Sequence, residues 1–254
     1  MLDIRQIPVL SDNYVYLVRE PASGAVAVVD PAVSDEILAA AGKLGWKITH
    51  ILNTHHHPDH VGGNLDIKAA TGCTIVGPAH DPDRIPGMEV QVKDGDTYQF
   101  GAETADVFFV PGHTRGHIAF WFKASDALFC GDTMFSIGCG RLFEGTPQQM
   151  WSSLSRLRAL PPETRIYCAH EYTASNVKFA VTIEPGNKAL RDYEADVKDK
   201  RAKNIPTVPS TLKLERAANP FLRADEPALQ AAIGMAGKPA DEVFAEVRRR
   251  KDVF

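Results

Sequence analysis

Four histidines and an aspartate crowd into Thr54-His55-His56-His57-Pro58-Asp59-His60, and no other stretch restricts the fold of this chain as much. A cluster this dense is hard to fold around unless something binds it, and imidazole with carboxylate suits zinc, iron or manganese. It follows an apolar β-type run, Ile48-Thr49-His50-Ile51-Leu52. In an extended loop, residues two apart point to the same side, so His55 and His57 converge on one ion while His56 points away. Asp59 and His60 open the next element and face a second ion. Pro58 fixes one backbone dihedral and so limits the loop.

A metal pair needs ligands from elsewhere, and three more apolar strands end in a polar candidate. Pro111-Gly112-His113 follows Val107 to Val110, Gly131-Asp132 follows Leu128 to Cys130, and Ala169-His170 follows Ile166 to Cys168. Sheets that gather catalytic residues at strand ends show this repetition. Taken singly, each has an ordinary explanation: a turn histidine, a capping aspartate, a hydrogen-bonded buried histidine. Together with the loop they form a set. His117 is assigned to hydrogen bonding, and His50 and His80 to scaffold or surface.

The other strand-like stretches are Asn13 to Val18, Ala25 to Asp30, Cys73 to Val76, Thr97 to Phe100 and Ile118 to Phe122. Helical periodicity marks Ile37 to Leu44, where Ser34 is placed to cap, then a short stretch after Gly63, and Pro147 to Leu160. Beyond Tyr172 the chain reads as helical, over 176–183, 187–203 and 240–251. That shift from strands to helices divides it into 1–172 and 173–254. The fold class expected is α+β.

The net charge of -4 in 254 residues offers no broad basic field for nucleic acid. No apolar run approaches the roughly 20 residues of a membrane helix, and no secretory signal is visible at Met1 to Pro8, so the cytoplasm is the expected location. Cys73, Cys130, Cys139 and Cys168 have no CxxC spacing and read as buried free thiols.

THHHPDH, PGHTRGH, GDTMFSIGCGR and HEYT resemble the metal-binding motifs of the metallo-β-lactamase superfamily, and more closely those of its glyoxalase II branch, the hydroxyacylglutathione hydrolases. Asp12-Asn13-Tyr14, Glu144-Gly145-Thr146, Glu184-Pro185-Gly186-Asn187, Asn219 to Arg223 and the basic run Arg248 to Asp252 also fit, so the likeness covers essentially the whole chain. It implies a four-layer αββα sandwich followed by a helical substrate-binding domain. It implies two divalent ions, zinc first with iron or manganese as alternatives. His55, His57 and His113 would hold one, Asp59, His60 and His170 the other, and Asp132 would bridge them.

The implied reaction is hydrolysis of S-2-hydroxyacylglutathione, such as S-D-lactoylglutathione, to glutathione and a 2-hydroxy acid, a step of methylglyoxal detoxification. A water held by two dications ionises near neutral pH and attacks the thioester, with Asp59 and Asp132 beside it. The thiolate departs without a dedicated acid. Arg141, Arg248 and Lys251 would receive the glycine carboxylate, and Tyr172 the peptide. Close relatives carry Lys where this chain has Arg141 and Tyr where it has Phe143, so Phe143 removes one hydroxyl contact. The partner expected is this small thioester alone, acting on a monomer.

A glutathione persulfide dioxygenase needs one iron with a two-histidine, one-carboxylate face, and the second set Asp59-His60-His170 argues against it. A β-lactam or lactone hydrolase does not account for the cationic helical end, and a nuclease would want a basic surface. A non-catalytic metal scaffold predicts missing ligands, yet all seven positions are filled.

Overall fold

A computed structural model describes residues 1–254. By its contacts the chain divides into two compact units, 1–109 with 115–131, and 110–114 with 132–254. The turn bearing His113 and the segment from Asp132 therefore pack with the C-terminal helices, a partition different from a cut at residue 172.

The first unit holds β1 (Asp3–Val9), β2 (Asn13–Arg19), β3 (Val26–Val29), α1 (Asp35–Leu44), β4 (His50–Leu52), α2 (Pro58–Val61), α3 (Asn64–Thr71), β5 (Thr74–Pro78), β6 (Val90–Val92), β7 (Thr97–Phe100), β8 (Glu103–Phe109), β9 (Ile118–Phe122) and β10 (Ala127–Gly131). Strands β1 to β6 make one sheet in sequence order, antiparallel through β3 and parallel from β3 to β6. Strands β7 to β10 form an antiparallel meander.

Alternation along β2 explains how the layers stack. Val15 and Leu17 join Ile37 and Ala41 of α1 and Ile67 of α3 in one core beneath the helices. Tyr16 points to the opposite face and meets Phe129 of β10 edge-on at 5.5 Å. Likewise His50 meets Phe100 at 5.3 Å. Helices, sheet and second sheet thus lie in three layers, and each central strand is buried on both faces, as its unbroken apolar run requires.

The second unit holds β11 (Met134–Phe135), β12 (Gly138–Cys139), α4 (Pro147–Arg158), β13 (Arg165–Cys168), α5 (Thr173–Ile183), α6 (Lys188–Ala202), β14 (Ser210–Thr211), α7 (Leu212–Ala218), α8 (Pro227–Ala232) and α9 (Ala240–Asp252). Thr146 and Gln149 close a capping box on α4, with Pro147 at its first position. Asn187 caps α6 through Leu190 N–H. Val177, Ala180, Leu190 and Val197 zip α5 to α6 around Ile137. Phe221 lies between Phe179 and Phe244, tying α5 to α9.

The α+β class expected from the strand-to-helix order is the one observed. Ser34 stands at the N-cap of α1 but makes no side-chain cap bond, because its backbone is helical and not extended as a capping residue requires; its hydroxyl donates to Asp66 at 3.4 Å. The strand before the histidine loop starts at His50 rather than Ile48. Strands β1, β6, β11, β12 and β14 and helices α7 and α8 lie outside the elements expected. No helix is long and apolar enough to cross a membrane.

Candidate metal centre

Strand β4 ends at Leu52 and hands the chain to the histidine loop, which Asp30 at the exit of β3 holds in place. Asp30 Oδ1 accepts Thr54 N–H at 2.7 Å and Oδ2 accepts the Thr54 hydroxyl at 2.6 Å. The same Oδ2 lies 3.1 Å from His60 Nδ1. A carboxylate only accepts, so His60 carries its proton on Nδ1 and turns the Nε2 lone pair outward, 3.6 Å from Asp59 Oδ2.

With its hydrogen directed at Asp30, the Thr54 hydroxyl accepts from His55 Nδ1 at 3.0 Å. His55 Nε2 then stands 3.1 Å from His57 Nδ1. The alternation expected along the loop is present: these two converge, while His56 turns to Asp81 and Arg84. Asn13 fixes Asp59 by donating to its Oδ2 at 2.9 Å. Asp30, His55 and His60 offer donor atoms all within 4.8 Å of one another.

In the second unit, His113, Asp132 and His170 come together. Asp132 Oδ2 is 3.3 Å from His113 Nε2, and Oδ1 is 3.4 Å from His170 Nε2. All three are buried. His113 Nδ1 faces the Arg141 carbonyl at 2.9 Å and must donate to it, which leaves an Nε2 lone pair aimed at a carboxylate oxygen. In the neutral ring two lone pairs face one another there, and a metal cation or a proton between them makes that arrangement favourable. Two donors bound at 2.0–2.1 Å to a tetrahedral ion stand about 3.3–3.4 Å apart. The donor set and its spacing fit a divalent metal.

Glycine is required where β10 releases Asp132. Gly131 has φ 48°, and a Cβ there would lie 2.3 Å from the Thr54 hydroxyl. After Asp132 the β11–β12 hairpin turns through Ile137, whose φ of 56° is unfavourable for a β-branched residue. Glu215, fully buried, holds that turn by accepting Ile137 N–H at 2.9 Å, with Asn219 Nδ2 at 2.9 Å on the same oxygen. Burial pushes the Glu215 carboxyl pKa upward. Glu171, next to His170, is turned away: its oxygens accept Thr207 N–H and hydroxyl at 2.9 and 2.6 Å, with Arg201 at 3.6 Å.

Tyr172 stacks on His170, ring planes 2° apart at 4.7 Å, and remains partly exposed. Phe143 is exposed and meets His113 edge-on at 5.2 Å. Lys251 donates to the Ser175 carbonyl and hydroxyl at 3.2 and 3.3 Å. Burial, with repulsion from Arg248 and Arg141, brings its pKa down to about 8. Arg248 is buried beneath this charge; its donors reach the Cys139 carbonyl at 3.1 Å and Asp252 at 2.8 and 3.0 Å. Arg141 is exposed.

His117 donates to the Ile118 carbonyl at 2.9 Å and stacks on His55 at 4.5 Å, so hydrogen bonding and packing occupy it. His50 is half-buried among Thr49, Tyr98 and Phe100, and His80 stacks on Phe109 at the surface. Sequence reasoning missed Asp30, Asn13 and the Arg141 carbonyl. Asp30 carried a usable signal, since it too stands at the exit of an apolar strand. A cleft of about 470 Å3 beside Glu184, Asn187 and Arg223 offers no comparable chemistry, because Arg223 and Glu184 already form a two-point ion pair at 3.0 and 3.1 Å.

Residues 10–170 match the model of the metallo-beta-lactamase superfamily, and residues 171–254 match that of the hydroxyacylglutathione hydrolase C-terminus. A hydroxyacylglutathione hydrolase of Methylococcus capsulatus is 61% identical over 254 residues, covering 100% of this chain and 99% of the relative. One from Rhodospirillum rubrum is 58% identical over 253 residues, with 100% and 99% covered. Among solved structures, ETHE1 from Myxococcus xanthus superposes with a TM-score of 0.68 at 24% identity, covering 99% of this chain and all of that one. TTHA1623, solved in a di-iron-bound form, superposes at 0.63 with 25% identity, covering 87% of this chain and all of that one.

Proposed function

The chain belongs to the metallo-β-lactamase superfamily and to its hydroxyacylglutathione hydrolase family, and from that premise we propose that it hydrolyses the thioester of S-2-hydroxyacylglutathione, releasing glutathione and a 2-hydroxy acid such as D-lactate. The observation that carries the chemistry is Asp132, which presents one carboxylate oxygen to His113 and the other to His170. A carboxylate so disposed suits a bridge between two cations and lowers their mutual repulsion. The division we propose is His55, His57 and His113 for one ion, and Asp59, His60 and His170 for the other, with Asp132 shared. Zinc is the first candidate, with iron and manganese also suited to this donor set. The di-iron form of TTHA1623 supports a count of two.

When bound, such ions lower the pKa of coordinated water and polarise the substrate carbonyl. The protein's own residues orient and charge the site. Asp30, Thr54 and the Arg141 carbonyl fix the tautomers of His60, His55 and His113, so each presents Nε2 without reorganisation. Asn13 holds Asp59 in one rotamer. Lys251 and Arg141 supply cationic donors for the glycine carboxylate, and the partly exposed Tyr172 a hydroxyl for the peptide. Arg248 contributes charge and braces the loop that carries Arg141. The departing thiol has an ordinary pKa of about 8.5 and needs no strong acid.

We further assign catalysis to 1–172 and substrate binding to 173–254, a division supported by two family models that cover 10–170 and 171–254. A complete ligand set within one chain supports a monomer, and four buried free thiols fit a reducing, cytoplasmic setting. The test offers thioester, β-lactam and glutathione persulfide substrates to one preparation, with metal content and oxygen uptake measured alongside. Thioester turnover with two metals per chain supports the proposal. Oxygen consumption with one iron per chain refutes it in favour of the dioxygenase.

A further inference from the structure

Asp81 stands outside the donor set, yet it is 1% exposed and gathers three basic side chains. It precedes a 3-10 turn at Pro82–Arg84. Arg84 Nη1 donates to its two oxygens at 3.2 and 3.4 Å, and Arg115 Nε donates to Oδ1 at 3.1 Å. His56 Nδ1 lies 3.7 Å from Oδ2, and the second Arg84 nitrogen contacts His56 Nε2. Burying a carboxylate is unfavourable by several kcal/mol unless it is paired and hydrogen-bonded. A surface turn has no need of such a group, so its use lies in what it joins.

Those partners come from both histidine loops. His56 sits between His55 and His57, and Arg115 comes two residues after His113. Gly116 completes the arrangement: a Cβ there would fall 2.1 Å from Asp81 Oδ2, so the backbone of this loop rests directly on the carboxylate. Asp81 holds Arg84, Arg84 contacts His56 Nε2, and with His56 turned to that side its neighbours face the opposite side of the loop. Seating Arg115 and Gly116 on the same carboxylate fixes the segment that leaves His113.

We propose that Asp81 is a positioning residue that aligns the two histidine loops on one buried carboxylate and so sets the geometry of the ion assigned to His55, His57 and His113. This rests on the metal-centre reading above. Groups that orient ligands without touching the metal change affinity by about 10–100-fold when removed. The effect falls on one ion, because His60 and Asp59 are held through Asp30 and Asn13 instead, and the His170 ring is stacked on Tyr172.

The test titrates the zinc-loaded protein with a chromophoric chelator, resolving two dissociation constants, for wild type, Asp81→Asn and Gly116→Ala. In both variants one constant is expected to rise about 10–100-fold while the other keeps its wild-type value. At subsaturating zinc kcat falls and KM for the glutathione thioester stays constant, because Asp81 does not reach the substrate. Should Asp81→Asn fail to fold by near-ultraviolet circular dichroism, Gly116→Ala and Arg115→Gln carry the measurement. Folded variants that bind both ions as the wild type does overturn the role of Asp81. So do variants whose two constants rise together, the mark of general loosening. A wild-type chain that takes up fewer than two ions overturns the metal-centre reading instead.

Discussion

Replacing Glu215 tests whether the strained turn after Asp132 is held by a protonated carboxyl. Glu215→Ala removes the acceptor of Ile137 N–H in a fully buried setting. An orphaned buried N–H costs about 1–3 kcal/mol, and the void left by the side chain adds about 1 kcal/mol or more. The expected loss is therefore about 2–4 kcal/mol. Asn219 limits it, since its Nδ2 also reaches the Phe135 and Gly138 carbonyls at 3.3 and 3.0 Å. Glu215→Gln keeps an acceptor and the shape of a protonated glutamate, so it costs little where the native carboxyl holds its proton.

The pH dependence separates the two. Burial raises the Glu215 pKa in the fold above its ordinary 4.5. Between those values the native state holds a proton that the unfolded state has lost, so this group's stabilisation is complete below 4.5 and disappears as pH rises through the folded value. The slope is at most about 1.4 kcal/mol per pH unit. Gln cannot titrate, and Glu215→Gln should gain on the wild type as pH climbs above 4.5. Urea unfolding of the metal-free protein at several pH values measures both effects. A loss below about 0.5 kcal/mol for Glu215→Ala, the range of a neutral surface change, refutes the clamp. Parallel pH profiles for Glu215→Gln and wild type refute the protonated carboxyl.

His57→Ala should lose one metal ion and the thioesterase activity together, read by metal analysis beside turnover; full activity without that ion would contradict the ligand assignment. Lys251, with a pKa near 8, should lose its charge above that pH, so KM for the anionic thioester rises from pH 7 to 9. Lys251→Arg removes that rise and Lys251→Ala raises KM at every pH with less effect on kcat, and an unchanged KM in the alanine variant excludes the contact. Cys139→Ser should leave kcat nearly intact: the buried thiol, with a pKa of about 11, holds no thiolate at pH 7, and the Arg248 bond runs to the backbone carbonyl. A large loss of kcat in a folded serine variant would give the thiol a part in the chemistry.

How much was legible depended on whether a residue's partners lie near it in sequence. The alternation within His55-His56-His57 needs only local backbone geometry, and the loop follows it. His113, Asp132 and His170 were found because each ends an apolar strand, a pattern that repeats. Asp30 also ends an apolar strand, but its partners Thr54 and His60 lie 24 and 30 residues away, and Asp81, whose partner Arg115 lies 34 residues away, is marked by no spacing. Arg248 and Lys251 share a face of α9 by their three-residue separation, but nothing in the sequence distinguishes the buried one from the reachable one. That distinction arises from Phe221, over whose ring Arg248 lies at 5.2 Å, and from the Cys139 carbonyl. Strand β1, interrupted in character by Gln6 and Pro8, and the short helices α7 and α8 owe their form to tertiary packing more than to periodicity.

The carboxylate of Glu171 follows His170 directly, the natural place for a proton donor, and it is committed to Thr207 and Arg201 instead. Discrimination among acyl compounds then passes from the protein to the substrate's own bond. An amide of the same acid would fit the same contacts, yet its amine is too basic to be expelled unaided. The enzyme would bind such an analogue and leave it whole, so selectivity of this kind is expressed in turnover and hardly at all in affinity.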